Sequence, residues 1–466
     1  MQAHRASNRT GWSHLLHGWL VLVVCTTGYA QEPGTTPSSE LDSNRLSELE
    51  NRIGELESLL DKQARGEKRI AEEKAKKPIV TPRGRIHTDA NWFHQSDANR
   101  AAIGDLQDGV FVRRARLGFD AAAFGVTEYR LDFEMGAGRD RLVLVDAYGR
   151  LTNIPWLGNI QMGHMREPFS LDNLTSSNWA TFMERSLINA FDPNRNWGLM
   201  MFNCNEAENF TFAMGVFREG TDQFGDDIGD SGERALTTRS TWMPYQDTEQ
   251  NHFIEVGGSY SYRNLDKQFP SGIGGPEQSI LRFQGRPEIA LAEENVGGVP
   301  SIIAVEFNDA SNAQLFGVET SWNFGSLNLQ SEFNGASVHR GTLPSAFYHG
   351  TYAQASYFLT GESRLWNNRA GTFARTNVHN PIKLGYKDRG SLAGSGAWEV
   401  AVRWSYLDFT DAVQDAGYLD TLTTGLNWYL NPFVRLMFNY THADVHLPTH
   451  GRSDLGIFHT RLDVNF

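Results

Sequence analysis

At 466 residues, 40% of them hydrophobic and 21% charged, with a mean hydropathy of −0.43, the chain is too apolar for a disordered polymer and too polar for a bundle of membrane helices. A formal charge of −13 argues against nucleic acid as a general partner, and two cysteines cannot staple a domain of this size.

The chain opens with Arg5 and Arg9, an apolar run from Leu15 to Val24, and Gly28-Tyr29-Ala30. A basic start, a short apolar middle and a small-x-small end predict a secretory signal peptide over 1–30. A permanent anchor fits less well, because Trp12 to Tyr29 is short for a span and holds two histidines. Cys25 leaves with the leader and, following bulky Val24, is a poor lipoprotein site, so Cys204 stands alone. Residues 31–40 read as a polar, proline-containing linker. Leu46, Leu49, Ile53, Leu56 and Leu60 then follow at steps of 3, 4, 3 and 4, the a/d seam of a coiled coil. Gly54 weakens that seam by about 1 kcal/mol relative to alanine. A solvated amphipathic helix is the plainer alternative. With the charged run from Lys62 to Lys77, segment 41–77 is expected to be a periplasmic coiled coil and charged linker, ended by Pro78.

After Pro78 the period changes to two. Ile86, Thr88, Ala90 and Trp92 alternate with Arg85, His87, Asp89 and Asn91, and Phe458, Thr460, Leu462, Val464 and Phe466 alternate with His459, Arg461, Asp463 and Asn465. Similar runs recur throughout, as in Phe316 to Phe324 and Trp398 to Tyr406. One apolar face and one charged face describe strands between lipid and a polar lumen. A soluble β-sandwich also alternates. Aromatic residues at the ends of the apolar runs, charges too numerous for a packed interior, and a terminal strand ending in phenylalanine, the signal read by barrel-assembly machinery, favour the barrel. The expected fold is all-β: a transmembrane antiparallel β-barrel of about 16 strands over 78–466, with Ser271 to Asn308 and Thr360 to Gly394 ambiguous. Turns alternate between tight ones, such as Phe324-Gly325-Ser326 and Asn431-Pro432, and long ones such as Glu219 to Glu233.

Three passages carry a resemblance. The first is Arg113-Arg114-Ala115-Arg116-Leu117 with Tyr129-Arg130-Leu131 and Asp146-Ala147-Tyr148. The second runs from Gly163-His164-Met165-Arg166-Glu167-Pro168-Phe169 to Met183-Glu184-Arg185-Ser186 and Asn194-Arg195-Asn196-Trp197-Gly198. The third joins Gly396-Ala397-Trp398-Glu399-Val400 to Gly425-Leu426-Asn427-Trp428-Tyr429-Leu430-Asn431-Pro432. In order and spacing the chain resembles the phosphate-selective porin O and P family. That resemblance implies an outer-membrane porin, a sixteen-stranded homotrimer, and a third loop folded inward to narrow the pore, here the non-alternating segment 170–197. One departure stands out. Phosphate-selective members are expected to carry several lysines at the constriction, yet beyond Pro78 only Lys267, Lys383 and Lys387 occur, with 28 arginines against 44 acidic residues.

Arginine suits oxyanions because its planar fork donates paired hydrogen bonds. Arg114 and Arg116 share a face opposite Phe111, Ala115 and Leu117, and are expected to meet water. Arg130 and Arg150 join them from neighbouring strands, and Arg166, Arg185 and Arg195 belong to the constriction. Pairing with Asp120, Asp132, Glu134 and Asp146, which would merely stiffen the wall, is the competing role. His442, His446 and His450 read as a surface loop rather than a metal site. Asp222, Asp226, Asp227 and Asp230 read as a solvated acidic loop rather than a Ca²⁺ site. No G-x-S-x-G or H-E-x-x-H motif points to an enzyme, and no cofactor or metal is expected. The expected function is passive diffusion of small hydrophilic solutes, with a preference for small anions, phosphate among them. The partners are solute, outer-membrane lipid and copies of the chain. The alternative is a structural protein whose coiled coil contacts the cell wall.

Overall fold

The computed structural model describes residues 47–49, 51–63, 65–66, 78–136, 142–219, 233–265, 281–289, 299–384 and 392–466. The expected signal peptide, the 31–40 linker, Leu46 and the acidic loop at Asp222 to Asp230 lie outside them. The chain forms two compact units, Met1–Lys74 and Ala75–Phe466. In the first, the described residues are helical, and Leu49, Ile53, Leu56 and Leu60 are each more than half exposed.

The second unit is a closed barrel of sixteen antiparallel strands. In chain order these are β1 (Ile79–Gln95), β2 (Gly109–Ala123), β3 (Thr127–Glu134), β4 (Val143–Ile154), β5 (Gly158–Arg166), β6 (Arg195–Cys204), β7 (Phe210–Glu219), β8 (Glu233–Asp247) and β9 (His252–Asn264). A hairpin of β10 (Leu281–Gly285) and β11 (Ile303–Phe307) interrupts the wall before β12 (Asn312–Phe324), β13 (Leu327–Arg340) and β14 (Leu343–Phe358). Two minor hairpins follow, β15 (Trp366–Asn367) with β16 (Thr372–Phe373) and β17 (Lys383–Leu384) with β18 (Leu392–Ala393). The wall ends with β19 (Ala397–Asp408), β20 (Tyr418–Asn431), β21 (Val434–Leu447) and β22 (Gly451–Asn465).

The two ambiguous stretches are therefore inserted hairpins, each strand too short to cross a membrane. Among the described residues no helix is long and apolar enough to cross a membrane, which says nothing of the strands.

Closure falls between β1 and β22, in a register that matches faces as the period-two pattern requires. Trp92 stands opposite Phe458 on the outside, their rings 5.6 Å apart. Inside, Asp89 faces Arg461 and accepts two hydrogen bonds of 2.7 Å from its guanidinium. Just past the end of β22, Phe466 exchanges backbone hydrogen bonds of 3.1 Å with Gly84 of β1. A Cβ on Gly84 would lie 2.4 Å from the Phe466 ring, so only glycine lets that ring lie flat on the seam.

Short connections such as 155–157, 325–326 and 432–433 gather at one end, the turn end, together with the start of β1. Long connections, including 96–108, 167–194 and 265–311, leave from the other, the loop end. The 38-residue connection 359–396 breaks this rule by leaving from the turn end. His442 and His446 are not in a surface loop: both lie on the outer side of β21, which continues to Leu447 before Pro448 ends it. His446 stacks on Tyr418 at 4.8 Å.

Candidate functional site

The inward loop spans 167–194; Arg195 to Trp197, assigned to it from sequence, already pair with β5 and β7 as part of β6. The loop has little regular structure, only the short helix Leu171–Leu174 and a 3₁₀ turn at Leu187–Phe191, so its backbone polar groups need partners from elsewhere. The barrel wall supplies them. Glu332 of β13 accepts from Leu171 N (2.9 Å) and Asp172 N (2.6 Å).

A row of inward side chains then donates to consecutive stretches of loop carbonyls: Arg364 to Trp179 (2.9 Å), Arg435 to Ala180 (2.7 Å), Asn427 to Thr181 (2.8 Å), Arg461 to Met183 (2.5 Å) and Arg403 to Glu184 (3.0 Å). Apolar residues finish the attachment. Phe169, Leu187 and Phe191 pack with Phe283, Val305 and Phe307 of the β10–β11 hairpin and with Tyr348 and Phe409 of the wall. The β9–β22 half of the lumen is thereby filled.

Water-accessible space remains along β2–β8, as two cavities. The larger, 680 Å³, is lined by Arg113, Arg114, Arg116, Arg166, Arg185, Arg195, Arg282 and Arg286, against Glu134, Glu184, Asp192 and Glu288. The smaller, 290 Å³, is lined by Arg83, Arg85, Arg116, Arg130, Arg150, Arg166, Arg195, Arg239 and Arg369, with Asp146 as its one carboxylate among the described residues. All seven arginines singled out from sequence line these cavities, and Arg116, Arg166 and Arg195 line both.

Most of these arginines also have the carboxylate partners of the competing role: Arg116 with Glu134 (2.6 Å), Arg130 with Asp120 (2.7 Å), Arg150 with Glu128 (2.9 Å) and Arg195 with Asp146 (2.8 Å). Arg116, Arg130 and Arg195 line the cavities while paired, whereas the remaining edge of Arg150 is held by Gln161 Oε1, which accepts from Nε (2.9 Å) and Nη2 (2.7 Å). Arg166 differs, donating only to the neutral Asn173 Oδ1 (2.6 Å). Arg185 does not present a spare fork: it is turned into its own loop, holding the carbonyls of Asp172, Asn173 and Thr175.

Arg113 was missed by the alternation argument. Thr88 pairs with Val112 and His87 with Arg114, so Arg113 is an extra residue on β2, and the register shift turns it inward beside Arg114. It makes a two-pronged pair with Glu184 (2.9 and 3.0 Å). The only sequence signal was the Arg113-Arg114 doublet itself, which a strict period of two cannot keep on one face.

Two loop carboxyls depart from their ordinary range in opposite directions. Burial would raise that of Glu184, but the guanidiniums of Arg113, Arg114 and Arg461 hold it well below. Asp192 is pushed well above, by burial and then by the nearby carboxylates Glu332 and Asp172, and one of its oxygens has no partner. Among the described residues no group of histidine, cysteine and acidic side chains is arranged to hold a metal ion.

The family described as "Phosphate-selective porin O and P" matches residues 80–466 of this chain. Porin O of Pseudomonas aeruginosa is 25% identical over 415 residues, covering 82% of this chain and 87% of its own length. An uncharacterised protein of Caulobacter vibrioides is 27% identical over 372 residues, covering 78% of this chain and 68% of its own. Among solved structures, an anion-selective porin from Comamonas acidovorans superposes with a TM-score of 0.50 at 13% identity, covering 84% of this chain and 99% of that one, a likeness of fold.

Proposed function

The chain belongs to the phosphate-selective porin O and P family and is an outer-membrane porin, and from that premise we propose that it conducts small anions in preference to cations. The carrying observation is the waist formed by Arg116, Arg166 and Arg195, the three arginines common to both cavities. Beyond about 8 Å charges are largely screened at physiological salt, so lining residues decide the sign rather than the total of −13. Lining arginines outnumber lining carboxylates two to one in the larger cavity and nine to one in the smaller.

Among the described residues no lysine lines either cavity, so a compact ammonium that grips a fully desolvated phosphate is replaced by flat guanidiniums, most of them already shared with carboxylates. This favours weak to moderate preference for oxyanions in general, phosphate being one of them. The proposed assembly is a homotrimer with its turn end towards the periplasm. There the Leu49, Ile53, Leu56, Leu60 stripe buries itself against its two copies, and the first 30 residues act as the export signal.

The test is the reversal potential of the channel in a salt gradient. Arg166 and Arg195 are the residues to change, since altering Arg185 would loosen the loop. Wild-type protein is expected to be anion-selective, and Arg166→Gln with Arg195→Gln is expected to move the reversal potential towards the cation limit with unchanged folding. A cation-selective wild type that ignores the double change would show these arginines to be wall braces only.

A further inference from the structure

On the outer surface of the barrel, facing away from the lumen, lies a groove of 1110 Å³ that the channel reading does not use. Its sides are apolar, with Phe119 and Leu131 on one flank and Leu199, Val216 and Leu236 on the other. Its floor is made shallow by small residues on β4 and β5. Gly163, at φ 134°, has a neighbouring carbonyl 2.2 Å from where a Cβ would stand, so this position must stay bare. At Gly149 the space is open: a Cβ there would meet only the Tyr129 ring, at 3.7 Å.

The loop end of the groove carries charge. Arg218 and Arg234 are cross-strand partners on β7 and β8, both exposed and both on the outward face, one step beyond Val216 and Leu236. Among the described residues Arg234 has no hydrogen-bond or ion-pair partner, and none of those lining the groove is a carboxylate. Two exposed guanidiniums directly opposite one another on a sheet offer donors that a single oxyanion can bridge.

We propose that this groove is a binding site for a membrane lipid bearing phosphate on its headgroup, with an acyl chain along the Gly149 floor and the phosphate across Arg218 and Arg234. The inference rests on the barrel spanning the outer membrane with its loop end outward. An apolar trough at chain depth, capped by two cations at headgroup height, is complementary to an amphiphile with an anionic head. A second copy of the chain would fill the trough but would need to bring its own acid to the arginine pair.

Purified folded barrel in detergent, titrated with lipid A as the probe and followed by native mass spectrometry, tests this. One tightly held lipid per barrel is expected. Enzymatic dephosphorylation of the probe, and separately Arg218→Gln with Arg234→Gln, should each weaken binding about tenfold, a loss of about 1.4 kcal/mol. Gly149→Leu should fill the trough and also weaken it; if that variant misfolds, the double arginine variant still decides. Equal affinity for the dephosphorylated probe, or equal affinity of the double variant, overturns the proposal. So does a Gly149→Leu variant that changes oligomeric state while holding lipid normally, which would assign the groove to a second copy. Conductance of the same samples separates the two readings: these variants should conduct as wild type does, and a barrel that binds lipid but passes no current would fail only as a porin.

Discussion

The two halves of the lumen are built from the same chemical pair and put it to opposite uses. On the β9–β22 side, Arg403 with Glu288, Arg435 with Asp463 and Arg461 with Asp89 are nearly sealed, each member no more than 4% exposed. On the β2–β6 side, Arg130 with Asp120 and Arg150 with Glu128 keep 18–38% of each side chain accessible. The difference arises from what lies on top. Loop 167–194 and the β10–β11 hairpin cover the first set and leave the second beside the path. An arginine–carboxylate pair in a pore is thus mortar or lining according to its cover, and a list of ion pairs alone does not say which.

The largest expected effect breaks a sealed pair. Arg403→Met leaves the buried Glu288 carboxylate, at the edge of the larger cavity, without the guanidinium that pairs with it and with the hydroxyls of Thr421 and Thr423 still donating, and should cost about 3–5 kcal/mol. Arg130→Met on the open side should cost about 1 kcal/mol or less, because water reaches Asp120. Urea unfolding of the two variants in lipid vesicles checks the contrast, and equal losses would dissolve it.

Next comes the pH response of the loop. Glu184 has a lowered folded pKa, so its stabilisation is complete above the unfolded value of about 4.3 and is lost only as pH falls through the lower folded value. Amide exchange in 171–192 should therefore stay slow on mild acidification in the wild type, whereas Glu184→Gln should exchange faster near neutrality. Asp192 works the other way. Its folded pKa is raised, so the loop is most stable below the ordinary carboxylate range and loses stability as pH rises from about 3.9 through the raised value. Asp192→Asn should abolish that loss, and a loop that loosens at high pH regardless would refute the assignment.

The smallest effect on the barrel should come from deleting 39–77, which removes none of its strands. Single-channel conductance should be unchanged, while the temperature at which the proposed trimer dissociates on gels should drop. Identical melting of both forms would remove the helix from assembly.

Much of this could be read from the chain, because the strands obey one local rule. A period of two assigns residues to one face or the other, so Arg116, Arg130 and Arg150 could be put from the sequence alone on the face where they line the cavities. What escaped was nonlocal or off-period. The inward turn of Arg113 depends on a bulge in a neighbouring pairing. The true end of the inward loop depends on Arg195 to Trp197 finding partners on β5 and β7. The role of Arg185 could not be guessed either, since its partners are the carbonyls of Asp172, Asn173 and Thr175, which have no sequence signature. His442 and His446 were misplaced because the polar residues there suggested a loop, while the alternation carried on through them to Leu447.

The contact between Gly84 and the Phe466 ring gives the barrel a checkpoint in time. Until β22 reaches β1 the sheet is an open ribbon with two unsatisfied edges, each able to capture another strand. The flat ring over a residue without a side chain is the latch at one end of that last join. Gly84→Val would press hardest on the Phe466 ring and also on the Arg116 carbonyl of β2, and it should slow the final zippering and leave a longer-lived open form. Its signature would be a delay in heat-resistant mobility after refolding, with little change in the finished product's conductance.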